Sequence, residues 1–166
     1  MESITKLLLE ELEREASTTR KMLSIVPNAQ YGWKPHEKSM DLKALATHIA
    51  DIPSWIELIL ISDELDFMNS THQIDDVNNT IELVSFFDRS VEKSTKALSE
   101  AKDDILDLIW TMRSGETIYT EATKYESIRM SFGQLIHHRA QLGVYLRLLN
   151  IPIPGSYGPS ADDHSF

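Results

Sequence analysis

The sequence contains no cysteine among its 166 residues. This absence excludes disulfide bonds, thiolate metal sites and a catalytic cysteine, and it is compatible with a reducing compartment. Basic residues are also scarce, because 16 Lys and Arg stand against 26 Asp and Glu, which gives a formal net charge of −10. A chain of this charge repels phosphate backbones and no basic cluster offsets the repulsion, so we expect neither nucleic acid nor a membrane as a partner.

Long hydrophobic runs are missing as well. The longest apolar run near the middle, IELILIS, is far too short to cross a bilayer. The segment MESITKLLLEELEREA acquires acidic residues at once and lacks the layout of a signal peptide. We therefore expect a cytoplasmic protein. Hydrophobic residues make up 42% of the chain, enough for a sizeable core in a single domain over residues 1–166.

Apolar residues recur at steps of three and four along four stretches, which is the spacing of amphipathic helices. The stretches are residues 2–26, a second from a Ser39 or Asp41 cap to about Glu64, a third from Asn79 to about Leu98, and a fourth from about Glu126 to Leu149. Pro53 interrupts the second stretch, so a kink or break is expected near Ala50. Four such helices predict a four-helix bundle.

The segments between these stretches are less regular. Residues 65–79 show no clear period and are interpreted as a loop, and residues 102–110 as a short helical segment. Residues 111–125 are β-branched around Ser114 and Gly115, a possible turn. An α+β fold would depend on that stretch alone. We therefore predict an all-α four-helix bundle with a short irregular or hairpin-like segment before the last helix.

Two of the six histidines lie on the inward stripes of predicted helices. His48 and His138 each follow an apolar residue by three positions and precede another by four. Two imidazoles in one core need hydrogen bonds, a cavity with water, or a metal. Imidazole with an open coordination position suits zinc, nickel, iron or copper. Spacing alone leaves both a hydrogen-bonded core pair and a metal site open.

Two neighbours of His138 could complete such a site. Gln134 precedes His138 by one turn on the same face, where a third ligand would stand, although an amide oxygen is a weak ligand for transition metals. His137 lies roughly 100° around the helix, facing a neighbouring helix or the rim, where a structural role is expected. The remaining histidines are interpreted as solvent-facing: His36, His72 and His164.

Four other residues have both a structural and a functional interpretation. Asp51 follows His48 by three positions, but in a chain this acidic we interpret it as part of a solvated helix face. Arg139 could attract an anionic substrate, although a salt bridge to an acidic neighbouring helix is the preferred interpretation. Trp55 and Tyr145 are expected in the core, or in the wall of a cavity around the two histidines.

The segments KPHEKSMDLKALATHIADIPSW and LIHHRAQLGVYLRLLNIPIPGSYGPSADD resemble the DinB/YfiT-like superfamily of four-helix-bundle proteins. The resemblance implies a metal triad of one histidine from the second helix and two, four residues apart, from the last. By position His48 takes the first role and His138 the last, whereas the middle ligand falls on Gln134. Three outcomes stay open: Gln134 binds through its oxygen, His137 replaces it, or the site has lost its metal.

The resemblance also implies a function. Related members include bacillithiol- and mycothiol-dependent S-transferases, a thiol-dependent maleylpyruvate isomerase and suspected metal-dependent hydrolases. For this chain it implies a homodimer with a divalent transition metal, zinc or nickel, that activates water or an external low-molecular-weight thiol toward a small-molecule substrate. No catalytic residue is assigned. The alternatives are a non-catalytic dimeric bundle or small-molecule binder with a degenerate metal site, and a pH-responsive structural protein.

Overall fold

The computed structural model describes residues 2–72 and 74–164. Within them the helices and strands are α1 (Ile4–Leu23), α2 (Leu42–Asp51), α3 (Ser54–Ile61), β1 (Glu64–Asp66), α4 (Thr80–Glu100), β2 (Ile109–Ser114), β3 (Thr117–Thr123) and α5 (Lys124–Leu148). Short 3-10 turns occupy Asn28–Gln30 and Asp103–Asp107, the second inside the segment predicted to be helical.

The prediction of an all-α fold is wrong, because the three strands of the described residues form a mixed sheet in the order β1-β2-β3. Strands β2 and β3 are antiparallel, and the predicted turn is present, with Gly115 at a φ of 57°. Strand β1 pairs in parallel with β2. It begins at Glu64, the predicted end of the second helix, and continues into the stretch interpreted as a loop. A three-residue strand has no period to detect, and its partner is distant in sequence.

The helices nevertheless pack as a bundle in which the second member is broken. Both α4 and α5 contact α1, α2 and α3. A break caused by Pro53 was predicted near Ala50, and α2 does end at Asp51, after which α3 is bent from it by 42°. Ser94 of α4 covers the break, since its Oγ donates to the carbonyl of Pro53 and accepts from the backbone N–H of Glu57 at 3.1 Å. The carbonyl of Pro53 and the N–H of Glu57, both at the break, therefore each have a hydrogen-bond partner.

The N-terminus of α1 is capped from two places in the sequence. Ser3 caps it locally, with its Oγ accepting from the N–H of Lys6 at 3.3 Å. The carboxylate of Asp103 accepts from the N–H groups of Ile4 at 2.9 Å and Thr5 at 3.0 Å. The bonds from Thr5 and then Ile4 lower the pKa of Asp103. The 3-10 turn after α4 therefore fixes the beginning of α1.

Among the described residues, no single helix has the length and apolar composition needed to cross a membrane. Helices α2 and α3 meet that requirement only when they are taken together across their bend.

Candidate functional site

A cleft of about 550 Å³ lies between α2, α3, α5, the sheet and the segment that follows β1. Its walls are largely apolar and include Trp55, one of the two aromatic residues predicted for a cavity wall. The other, Tyr145, packs instead against Trp33, with ring centroids 5.6 Å apart. The polar side chains that line the cleft are His48, Asp51, Ser70, His72 and Gln134.

His48, near the C-terminal end of α2, is a neighbour of His138, in the middle of α5. Their ring centroids are 4.6 Å apart and their planes meet at 80°. Both residues are half-buried, and the ring centroid of His48 is also 5.5 Å from that of Trp55, with the ring planes at 62°. The two imidazoles that helical spacing placed on inward stripes therefore lie side by side, one of them on the wall of the cleft.

The surroundings of His48 favour its neutral form. Burial lowers the pKa of His48, and the nearby His138 lowers it further, while Asp51 acts in the opposite direction. Nδ1 of His138 is 2.8 Å from the side-chain oxygen of Gln141. Because an amide oxygen only accepts, Nδ1 carries a proton, and in the neutral ring Nε2 then keeps its lone pair. Neutral imidazole with a free lone pair is the form that binds a metal.

The two residues considered as a third ligand lie in different places. Gln134 is half-buried and lines the same cleft as His48. His137 is exposed, and its ring centroid is 5.0 Å from that of His138. Among residues 2–72 and 74–164, no three His, Asp or Glu side chains are grouped so that they could hold a metal ion. A metal at this pair would thus need an amide oxygen or water to complete its coordination.

Asp51 is not part of a solvated helix face, so that interpretation is wrong. The residue is 2% exposed. Its Oδ1 accepts from Ser54 Oγ at 3.1 Å, and its Oδ2 accepts from Trp55 Nε1 at 2.9 Å. Burial alone would raise the pKa of Asp51, but hydrogen bonds from His72, Trp55 and Ser54 together lower it. A buried carboxylate therefore stands ionised at the edge of the cleft.

His72 supplies the third contact to this carboxylate. The residue is exposed, as predicted, yet its Nε2 lies 2.9 Å from Oδ1 and 3.1 Å from Oδ2 of Asp51. The hydrogen bond to Asp51 raises the pKa of His72, with burial and the charge of Lys93 acting against it. The spacing of Asp51 and Trp55, four residues apart across the α2–α3 break, was a usable signal for the carboxylate. Nothing in the irregular segment around His72 indicated the second half of the pair.

A second cavity, of about 540 Å³, lies between α5 and the C-terminal segment. Arg139 at its edge is 3% exposed and donates from Nη1 to Glu15 of α1 at 2.6 Å and to Thr19 at 3.0 Å. The predicted salt bridge to a neighbouring acidic helix is confirmed. Tyr157 closes this cluster by donating to Glu15 at 2.8 Å. The described residues that line this cavity include no histidine and no acid, so the chemistry favours the first cleft as the functional site.

Comparison with known proteins agrees with this architecture. A DinB-like protein from Bacillus subtilis superposes with a TM-score of 0.72 at 17% identity, covering 90% of this chain and 97% of that one. A DinB-like protein from Bacillus cereus ATCC 10987 gives a TM-score of 0.71 at 19% identity, covering 93% and 98%. A search of curated proteins finds no match. The DinB family model matches residues 1–164, and the chain therefore belongs to the DinB family.

Proposed function

We propose that this protein is a metal-dependent enzyme of the hydrolase or S-transferase type. In this proposal His48 and His138 bind a divalent transition metal, zinc or nickel, and the side-chain oxygen of Gln134 contributes a third, weaker contact. The single observation that supports it is the pair of imidazoles, 4.6 Å apart, beside a largely apolar cleft. A bound metal would supply Lewis acidity, which lowers the pKa of a coordinated water or thiol.

The protein's own residues have defined parts in this proposal. The lowered pKa of His48 keeps its imidazole neutral near pH 7, and Gln141 orients His138 so that Nε2 is available. The apolar walls, among them Trp55, receive a small molecule and reduce its contact with water. Because the chain has no cysteine, a thiol would have to come from a cosubstrate.

Metal analysis of protein purified without a histidine tag tests this proposal. After equilibration with Zn²⁺ or Ni²⁺ and removal of free ions, we expect close to stoichiometric metal, lost in His48→Ala and in His138→Ala. His36→Ala is the matched control, since His36 is exposed in the connector before α2. His137→Ala separates the two third-ligand hypotheses, because it should retain the metal if Gln134 is the ligand. Trace metal that neither His48→Ala nor His138→Ala reduces would contradict the proposal.

A second candidate function is a small-molecule binder with a degenerate metal site. It is favoured by Gln134, which stands where the family resemblance implies an imidazole, and by Asp51, whose oxygens are already occupied. In that case the native protein holds little metal, and Gln134→His creates or greatly tightens binding. Tight binding by the native protein excludes this candidate.

We also propose, from the family and from the charge pattern, that the protein is a cytoplasmic homodimer. Light scattering at several concentrations tests the dimer, and a constant monomer mass would contradict it.

A further inference from the structure

The cleft is lined by a second pair of polar side chains, Asp51 and His72, which is separate from the His48–His138 pair. We propose that Asp51 and His72 form a metal-independent dyad in which Nδ1 of His72 is a general base toward small molecules in the cleft. The substrate class is an apolar carboxylic ester, whose carbonyl carbon is attacked by a water molecule that His72 deprotonates. This proposal does not rest on metal binding.

The hydrogen bonds define which nitrogen of His72 is the base. A carboxylate oxygen only accepts, so Nε2, which lies 2.9 Å from Asp51, carries the proton in the neutral ring. The lone pair is then on Nδ1, which forms no hydrogen bond to the residues that the structure describes. The side chain of His72 is 33% exposed and lines the cleft, so water and a ligand can reach it.

Asp51 is held in one orientation, as a positioning residue must be. Ser54 and Trp55 each donate to one of its oxygens, and its side chain is 3% exposed. The resulting ion pair stabilises the imidazolium that forms when His72 takes a proton. This is the arrangement by which a buried acid orients a histidine in nucleophilic and general-base catalysis.

Other charged groups lie around His72 and set its proton affinity. Asp51 on α2 raises the pKa of His72, whereas Lys93 on α4 lowers it. The surface hollow on the other side of His72 is lined by further charged groups on α3, on the segment before α4 and on α4 itself: Glu57, Asp75 and Arg89. Asp75 and Arg89 pair with each other, and the hydrogen bond to Asp51 is the largest cause of the raised pKa of His72.

The proposed step balances without a further reactant. Nδ1 accepts a proton from water as the water oxygen bonds to the carbonyl carbon of the ester. The C–O bond to the leaving alcohol then breaks, and the proton on Nδ1 passes to the departing alkoxide. The carboxylic acid that remains carries the second proton of the water and releases it to solvent, so the products are a carboxylate, an alcohol and a solvated proton, and the ring returns to its neutral form.

Hydrolysis of p-nitrophenyl butyrate by the full chain tests the dyad, because the ester is small and its butyryl group is apolar. We expect His72→Gln to reduce the protein-dependent rate by roughly 10²-fold, the lower end of what a positioned general base contributes. Glutamine can still donate to Asp51, so the loop contact and the melting temperature should be retained. His36→Gln is the matched control and should leave the rate unchanged, since His36 lies outside the cleft.

The pH profile separates catalysis from a structural role. The rate should rise with pH through a midpoint above the ordinary pKa of histidine, and Asp51→Asn should move that midpoint down. Chelation with EDTA should change neither rate nor midpoint. A rate that EDTA abolishes, or that His72→Gln leaves intact, would overturn the dyad. The first of these results would assign the activity to a metal instead, so the two proposals can fail separately.

Discussion

Glu15 and Asp51 are two buried carboxylates that pair with different basic side chains, an arginine and a histidine. Glu15 is 7% exposed and Asp51 2% exposed, and each pairs with a side chain from another part of the sequence. The partner of Glu15 is Arg139, a guanidinium that keeps its proton throughout the pH range of a folded protein. The partner of Asp51 is His72, which exchanges its proton near neutral pH.

The two acids also differ in their surroundings, which are closed around Glu15 and open to a cleft beside Asp51. Around Glu15, Thr19 and Tyr157 complete a closed cluster that joins α1, α5 and the C-terminal segment. Around Asp51, two donors from the start of α3 hold the carboxylate, and the remaining partner, His72, lines a cleft. The comparison teaches that burial of an acid is not by itself a functional signal. A catalytic pair differs from a structural one in two respects. Its basic partner exchanges a proton near neutral pH, and that partner lines a cleft.

The largest effect is expected from Arg139→Leu. Removing the guanidinium leaves Glu15 buried without its cation, which should lower the free energy of unfolding by about 3–5 kcal/mol. Urea unfolding followed by circular dichroism measures the loss. Arg147→Leu on the same helix is the matched control, since Arg147 pairs with Asp162 at the surface and should lose less than about 1 kcal/mol. The double variant Glu15→Gln/Arg139→Leu should recover part of the loss, and equal losses in Arg139→Leu and Arg147→Leu would break the comparison.

Asp51→Asn should have the next largest effect. The amide keeps the size of the side chain but removes the charge that three donors share, so we expect a loss of about 1–3 kcal/mol. NMR titration should at the same time show a lower pKa for His72, because Asp51 is the first cause of its elevation. Asp41→Asn is a control, since asparagine still caps α2. An unchanged pKa of His72 would mean that the two side chains are not paired in solution.

Two single hydrogen bonds allow a closer comparison. Tyr157→Phe removes one donor to Glu15, and Trp55→Phe removes one donor to Asp51. Each should lower the free energy of unfolding by about 1 kcal/mol, with part of the Trp55 loss due to its smaller ring. Only Trp55→Phe should also change the pKa of Asp51, since Tyr157 is in the other cluster. A shift of the His72 resonances in Tyr157→Phe would show that the two clusters are coupled.

The smallest effect is the pH dependence of stability that comes from His72. Its pKa is raised in the folded protein, so its contribution is fully present below about 6.5, the unfolded value, and is lost as pH rises through the folded pKa. The difference in free energy of unfolding between the native protein and His72→Gln should therefore be larger at pH 5.5 than at pH 8.5. We expect a change of a few tenths of a kcal/mol, as for other partly exposed pairs. A difference that grows with pH would contradict the assigned pairing.

The helices were predictable because their signals are local. The caps at Asp41 and Asn79, the proline at the α2–α3 break and the stripes of α1 and α4 all act within a few residues. The sheet was not predictable in the same way. Strand β1 has three residues and gains its stability from pairing with β2, far along the chain. An element of this length carries too little pattern for its own sequence to distinguish it from a loop.

The same distinction applies to the candidate site. The convergence of His48 and His138 followed from helical spacing, because each histidine lies on the buried stripe of its own helix. Arg139 was paired correctly on the charge of its neighbours alone. The Asp51–His72 contact depends on how an irregular segment folds back across 21 residues, which periodicity does not encode.

The carboxylate of Asp103 that caps α1 has a consequence for how the chain is made. It lies 99 residues after Ile4, so the first helix leaves the ribosome long before its second cap exists. Until that aspartate is synthesised, the nascent helix depends on Ser3 at its start, and its amphipathic face has no complete bundle to cover it. We therefore expect an arrested ribosome carrying a shorter fragment to present α1 to chaperones and proteases, with protection arriving late in translation.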